Sequence, residues 1–204
     1  MRLLLFSDLH CDADAAASIV QRARSFDVII GAGDFATARR GLQPVIDILA
    51  TIKTPAVLVP GNSESFEELR DACRDWPAAH VLHGTAATVG NEKFFGMGGG
   101  VPVTPFGSWS YDFSEAQAEQ LLAACPGACV LVSHSPPNGC LDLASNGASV
   151  GSTATRAAIE RLRPRLVVCG HIHASAGRTE EIGTSVVVNA GPRGVEFQLD
   201  ENQE

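Results

Sequence analysis

Residues 1–34, MRLLLFSDLHCDADAAASIVQRARSFDVIIGAGD, carry the pattern that decides the fold. Leu3 to Ser7 is an apolar run short enough for a strand and continuous enough to be buried on both faces. Ala13 to Arg24 then repeats Ala16, Ile19, Val20 and Ala23 at helical spacing. Val28 to Gly31 is a second strand-like run. Strand, helix and strand in that order predict a right-handed βαβ unit with two parallel strands. Each strand also ends on polar chemistry: Asp8-Leu9-His10 after the first, Gly33-Asp34 after the second.

The pattern continues outward. Leu42 to Ile52 is helical, with Val45, Ile46 and Leu49 on one face. Pro55 opens a strand, Ala56 to Val59, which ends at Pro60-Gly61-Asn62. Ser65 with Glu68 forms a capping box, and its helix should stop near Trp76-Pro77. Ala86–Val89 and Lys93–Phe95 read as antiparallel strands; His80 and His83, just before them, flank a short strand and read as surface or capping histidines. Gly96 to Gly100 invites a phosphate-loop reading, but Val101-Pro102 follows in place of a helix, so it reads as a flexible loop near the site. Ser114 with Gln117 caps a helix from Glu115 to Ala124. Ala128–Ser133 is a strand ending on His134, and a polar loop runs to Gly151. Thr153–Leu162 is a helix, and Leu166–Cys169 a strand ending on Gly170-His171-Ile172-His173. Ser185–Asn189 and Gly194–Leu199 read as a closing antiparallel pair. With no repeat or linker, residues 1–204 form one α/β domain with two sheets.

Composition narrows the function. The 204 residues carry a net charge of −8, from 23 acids against 13 arginines and 2 lysines. So acidic a chain is poorly suited to wrapping nucleic acid or lying on anionic lipid, because both require many phosphate-neutralising bases. Six scattered cysteines without a CxxC pair read as reduced thiols. Ser7 and Asp8 cut the first apolar run too short for a signal peptide, and no stretch approaches 18 apolar residues. The expectation is a cytoplasmic protein with no membrane partner.

Five strands therefore deliver Asp, Asn or His at their carboxyl edge, where open α/β sheets place ligand sites. The converging set is Asp8, His10, Asp34, Asn62, His134, His171 and His173. Helix capping would account for Asp8 and Asp34, but not for His10 or the His171–His173 pair. Imidazole, carboxylate and amide oxygen together suit two divalent ions such as Mn, Fe, Ni or Zn. Two ions about 3.5–4 Å apart form the clamp used for displacement at phosphorus. One carboxylate must then bridge, and Asp34 is the candidate.

These motifs resemble those of the calcineurin-like metallophosphoesterase family, D-x-H, G-D, G-N-H-[D/E], H and G-H-x-H, in order from residue 8 to 173. Asn189-Ala190-Gly191-Pro192 also looks familial. The resemblance implies a four-layer αββα sandwich of two mixed sheets. It implies one metal on Asp8, His10, Asp34 and His173, a second on Asp34, Asn62, His134 and His171, and catalytic roles for Asp34, Asn62 and His134. The third motif departs from the pattern: Ser63 stands where the family has His. A serine hydroxyl is no general acid near neutral pH. Relatives lacking that His look like phosphodiesterases, so the expected activity is in-line attack on a small phosphodiester by a metal-bridging hydroxide. A nucleic-acid substrate is expected only as a small nucleotide. The rival readings are a phosphomonoesterase or phosphoprotein phosphatase of the same family, and a non-catalytic metal-binding scaffold.

Overall fold

The alternation in the first 34 residues is the one that the chain folds into. β1 (Arg2–Phe6) and β2 (Val28–Gly31) lie parallel, Leu3 opposite Val28 and Phe6 opposite Gly31, joined through α1 (Ala13–Ala23). The computed structural model describes residues 1–200. α2 (Leu42–Leu49), β3 (Ala56–Leu58), α3 (Phe66–Ala72) and β4 (Ala79–Val81) repeat the unit, and β3 and β4 extend the sheet in parallel. β5 (Thr85–Val89) and β6 (Glu92–Met97) then form an antiparallel hairpin that starts a second sheet. β7 (Val130–Ser133) and β8 (Leu166–Cys169) add to it in parallel, after α4 (Glu115–Leu122) and α5 (Thr153–Leu162) respectively. β9 (Thr179–Ile182) and β10 (Ser185–Asn189) complete it, and β11 (Val195–Gln198) returns to the first sheet. The strand orders are β11-β1-β2-β3-β4 and β5-β6-β7-β8-β10-β9.

The central strands are buried on both faces, and alternate residues separate two cores. From β1, Leu4 and Phe6 join Ile29 and Leu58 against Ile19, Ile46, Leu49 and Leu69 of the first three helices. Leu3 and Leu5 face the other way, meeting Phe94, Val130, Val132, Val168 and Val188 between the sheets. Phe95, Leu131, Val167 and Val187 then pack on Ala118, Leu122, Ala158 and Ile159 of α4 and α5. Helices, sheet, sheet, helices: the expected four-layer sandwich is what is observed. At about 1.5–3 kcal/mol for each fully buried large apolar side chain, these three cores dominate the stability.

Both capping boxes form. Ser65 accepts from Glu68 N–H and Ser114 from Gln117 N–H, and the glutamate and glutamine side chains return the bond. Three expectations need correction. The helix after Ser65 stops at Ala72, earlier than Trp76-Pro77 suggests, because Trp76 leaves the helix to donate its indole N–H to Ile52 O at 3.0 Å. The two C-terminal strands do not pair with each other: β10 lies between β8 and β9, while β11 is antiparallel to β1 in the other sheet. Gly98 to Gly100 are buried in close contact with Pro60, Phe113 and Asp112, so this segment is a packed turn. No helix among the described residues is long and apolar enough to cross a membrane.

Candidate metal centre

All seven residues singled out at the strand ends fall along one edge of the sandwich. The backbone there is under tension: Asp8, His10, Asp34 and His171 take positive φ of 56°, 46°, 57° and 65°, a left-handed conformation that non-glycine residues rarely adopt. Such strain persists only where the surroundings hold it. Glu64 supplies one restraint. Its buried carboxylate accepts the N–H of Asp34 (2.8 Å) and of Gly61 (2.7 Å) on one oxygen and that of Ala36 (2.9 Å) on the other. Ser7 supplies another, donating to Asp8 Oδ2 at 2.5 Å and accepting from Gly191 N at 2.9 Å. Asn189 donates to the carbonyls of Gly170 and Ile172 and so holds the turn that carries His171 and His173.

The donor atoms then converge. His10 Nε2 lies 3.1 Å from His173 Nε2 and 3.5 Å from Asp34 Oδ2. His173 Nε2 lies 3.7 Å from Asp8 Oδ1. Across Asp34, His134 Nε2 lies 3.5 Å from Oδ1 and 3.2 Å from Asn62 Oδ1. Two groups, Asp8–His10–His173 and Asp8–Asp34–His134, each bring three ligand atoms within 4.8 Å of one another. Asn62 joins the second through His134. His171 belongs to neither group. Its ring packs edge-on against that of His134 with centroids 5.0 Å apart, and its N–H donates to both Asp8 oxygens. The site is buried at Asp34 and His134 and opens to solvent at His173, whose side chain is 64% exposed.

Hydrogen bonds behind the histidines show which atoms face the site. His10 Nδ1 meets Ala36 O at 3.2 Å and His134 Nδ1 meets Ala32 O at 2.7 Å. Each Nδ1 therefore carries the proton in the neutral ring, and each Nε2 presents a lone pair. Asn62 Nδ2 donates to Ser110 Oγ at 3.0 Å, so its Oδ1 is the atom turned toward His134. With the rings neutral, lone pairs of His10, His134 and Asn62 thus face the Asp34 carboxylate or one another, an arrangement that a cation between them would satisfy. The ionisation behaviour agrees. Burial opposes a charge on His134, but the Asp34 and Asp8 carboxylates and the bond to Ala32 outweigh it, and its pKa rises. Burial, reinforced by His134, lowers His171 to about 4. Burial, then Asp34, raises Glu64 to about 7. Of the two histidines, the one facing both Asp8 and Asp34, His134, gains the positive charge, and His171 beside it is kept neutral. The donor set thus fits divalent metal.

Residues 1–202 match the calcineurin-like phosphoesterase superfamily domain. The chain belongs to this family. Its sequence is 30% identical over 146 residues to metallophosphoesterase domain-containing protein 1 of Homo sapiens and of Mus musculus, covering 69% of the chain and 41% of either relative. The chain therefore spans less than half the length of these curated relatives. A Thermus thermophilus protein superposes with a TM-score of 0.76 at 21% identity, over 93% of this chain and 88% of that one. A dimetal phosphatase from Danio rerio gives 0.62 at 14% identity, over 93% and 86%. Phosphopantetheinyl hydrolase from Mycobacterium tuberculosis gives 0.59 at 17%, over 93% and 88%. At such identities these structures establish the shared fold. The family is one of metal-dependent phosphoester hydrolases, and this member presents candidate metal-ligand groups at the expected edge.

Several residues of the site escaped sequence reasoning. Ser110, Asp112 and Thr104 build the wall behind Asn62, and Ser7 braces Asp8. Only Ser7, adjacent to Asp8, could have been suspected from position. Ser63 is buried and donates its N–H to Asp34 Oδ1 at 2.8 Å. His83 is half-buried: it packs among Phe66, Tyr111 and Phe113, accepts from Gly98 N–H at 3.2 Å, and is held below its ordinary pKa by burial.

Proposed function

We propose that this chain is a binuclear metal-dependent phosphodiesterase acting on a small phosphodiester. The observation that carries the proposal is Asp34, whose two carboxylate oxygens face different histidines, Oδ2 toward His10 and Oδ1 toward His134, each at 3.5 Å. That is the disposition of a bridging ligand. Asp8, His10, Asp34 and His173 would hold one ion, and Asp34, Asn62, His134 and His171 the other. Manganese, iron, nickel and zinc all suit these donors. When bound, the pair supplies Lewis acidity toward phosphoryl oxygens and acidifies a water for in-line attack on phosphorus.

The chain's own residues do the rest. Ala36 and Ala32 fix the tautomers of His10 and His134, so that each neutral ring would offer its Nε2 lone pair to an ion. Glu64 locks the Asp34 and Gly61 loops together and keeps the bridging carboxylate in register. His134 and Asn62, buried at the back, would orient the phosphoryl oxygens through the second ion that they help to hold, and the ester enters from the solvent-open side at His173. Ser63 supports the diesterase reading through the resemblance, since relatives that replace the His at this position look like phosphodiesterases. Water protonates the leaving group. Six free thiols, five of them buried, support a reducing, cytoplasmic setting.

The test is metal analysis of the purified protein, with hydrolysis of bis(p-nitrophenyl) phosphate compared with p-nitrophenyl phosphate. About two equivalents of transition metal and a diester preference, both lost in Asp34→Ala, are expected. A strong monoester preference would assign a phosphomonoesterase. Bound metal without turnover of either ester would assign a scaffold, and full activity after EDTA stripping would overturn the metal scheme.

A further inference from the structure

The segment between β6 and α4 folds over Asn62, and its polar groups form a chain with one consistent direction. Tyr111 N–H donates to Asn62 O at 2.9 Å, setting the segment against the ligand loop. Asp112 Oδ2 accepts from Thr104 N–H at 2.9 Å and from Thr104 Oγ1 at 2.6 Å. Asp112 Oδ1 accepts from Ser110 Oγ at 2.7 Å. Thr104 Oγ1 also lies 3.0 Å from Ser110 Oγ, but its single proton is committed to the closer carboxylate. Both hydroxyl protons therefore point at Asp112. Ser110 Oγ is left with lone pairs toward Asn62, where it can only accept, and Asn62 Nδ2 donates to it at 3.0 Å.

This determines which end of the amide enters the site. An Asn side chain offers two donors at one end and an acceptor at the other. Turned over, Asn62 would donate from Nδ2 to the His134 Nε2 lone pair and place Oδ1 against Ser110. In the absence of Ser110 that flipped state is attractive, because it pairs two groups that otherwise confront each other at 3.2 Å. It would also remove both atoms from metal binding. With Ser110 polarised by Asp112, the flipped state sets oxygen lone pairs against oxygen lone pairs and is disfavoured.

We propose that Ser110 and Asp112 are positioning residues that hold the Asn62 amide with Oδ1 toward the metal centre, and thereby set the affinity of one of the two ions. The inference rests on the reading of Asn62 as a ligand. Outer-shell partners of this kind typically contribute about 10–100-fold in metal affinity.

The experiment is calorimetric titration of the metal-stripped full chain with Mn2+. Ser110→Ala should weaken one binding event about 10–100-fold and leave the other unchanged. Ser110→Thr, which keeps the hydroxyl, should restore it, and Asp112→Asn should lose affinity in the same event. The decisive comparison uses Asn62→Asp, whose carboxylate presents an oxygen in either orientation. In that background, adding Ser110→Ala should cost no Mn2+ affinity. An equal loss in both backgrounds would show a merely structural role and overturn the inference, as would a Ser110→Ala protein that binds both ions like the wild type. Wild-type protein that takes up no Mn2+ would instead overturn the binuclear reading itself.

Discussion

Replacing Gly61 with alanine tests how closely the loops at the metal centre approach. Gly61 does not lie in the left-handed region, so alanine meets no backbone penalty there. The added Cβ would sit 2.0 Å from Asp34 Oδ1, 2.2 Å from Asp34 N and 2.7 Å from Asp34 Cγ. Real Cβ contacts essentially never fall below 3.0 Å, so the two loops must part by about 1 Å. Turning the Asp34 side chain away does not relieve the clash with its backbone nitrogen. Separating the backbones pulls apart two N–H groups that share one Glu64 oxygen. Overpacking of this kind costs about 1–3 kcal/mol, or roughly 2–12 °C in Tm for a domain of this size. If Asp34 bridges two ions as proposed, a 1 Å displacement of its carboxylate should lower turnover about 100-fold. Differential scanning calorimetry, bound-metal analysis and diester hydrolysis measure the three effects. Gly183→Ala is the control: Gly183 has φ of +60° with nothing within 4 Å of the added carbon, so it should cost about 1 kcal/mol and leave metal content intact. A Gly61→Ala protein with wild-type metal content and turnover would refute the close-approach argument.

Two other expectations concern buried acids. Glu64→Gln keeps the acceptor for Asp34 and Gly61 but turns an NH2 toward Ala36 N–H, leaving a buried donor unpaired. Urea unfolding should show a loss of about 1–3 kcal/mol, and an unchanged midpoint would contradict the clamp. Burial raises the Cys73 and Cys140 thiols from 9.0 to about 12. Because the folded state keeps these protons while the unfolded chain sheds them, stability should be intact below pH 9 and decline between pH 9 and 12. In Cys73→Ala the slope of unfolding free energy against pH in that window should shrink by about one proton. Identical slopes would show that Cys73 ionises alike in both states.

How much could be read in advance follows from range. β1, β2, β3, β7 and β8 are buried on both faces, so each is a bare apolar run, and the first polar residue after it marks the sheet edge. Those five runs carried both the fold and the seven candidate ligands. Capping boxes at Ser65 and Ser114 were legible because their bonds span three residues. β4 and β9 went unread: Ala79-His80-Val81 and Thr179–Ile182 are short and lie at sheet edges, where side chains need not be apolar. The destination of β11 is a non-local matter, since Val195 to Gln198 pair with residues 2 to 5 at the far end of the chain. Ser110 was invisible for the same reason. It meets Asn62 across 48 residues, and nothing in Ser-Tyr-Asp distinguishes a ligand brace from an ordinary turn.

Asp8 and Asp34 are two of the 23 acids behind the net charge of −8, and both sit on left-handed backbone. The Asp8 and Asp34 carboxylates take hydrogen bonds from Ser7, Ser63 and His171, and a cation among them would relieve the remaining repulsion between like charges. Asp8, His10, Asp34 and His171 add backbone strain of order 1–3 kcal/mol each, so the total is comparable with the ~5–15 kcal/mol stability of a typical domain. The three apolar cores and the Glu64 and Ser7 braces must carry that load, because the repulsion cannot relax: Gly61 and Gly170 already bring backbone within contact of Asp34 and Asp8. A cation that binds only the folded chain returns part of this energy, by about 2.7 kcal/mol at a hundredfold excess over Kd. Left-handed candidate ligands and close glycines are therefore one arrangement, which brings Asp8, His10, Asp34, His134 and His173 together where a cation would suit them.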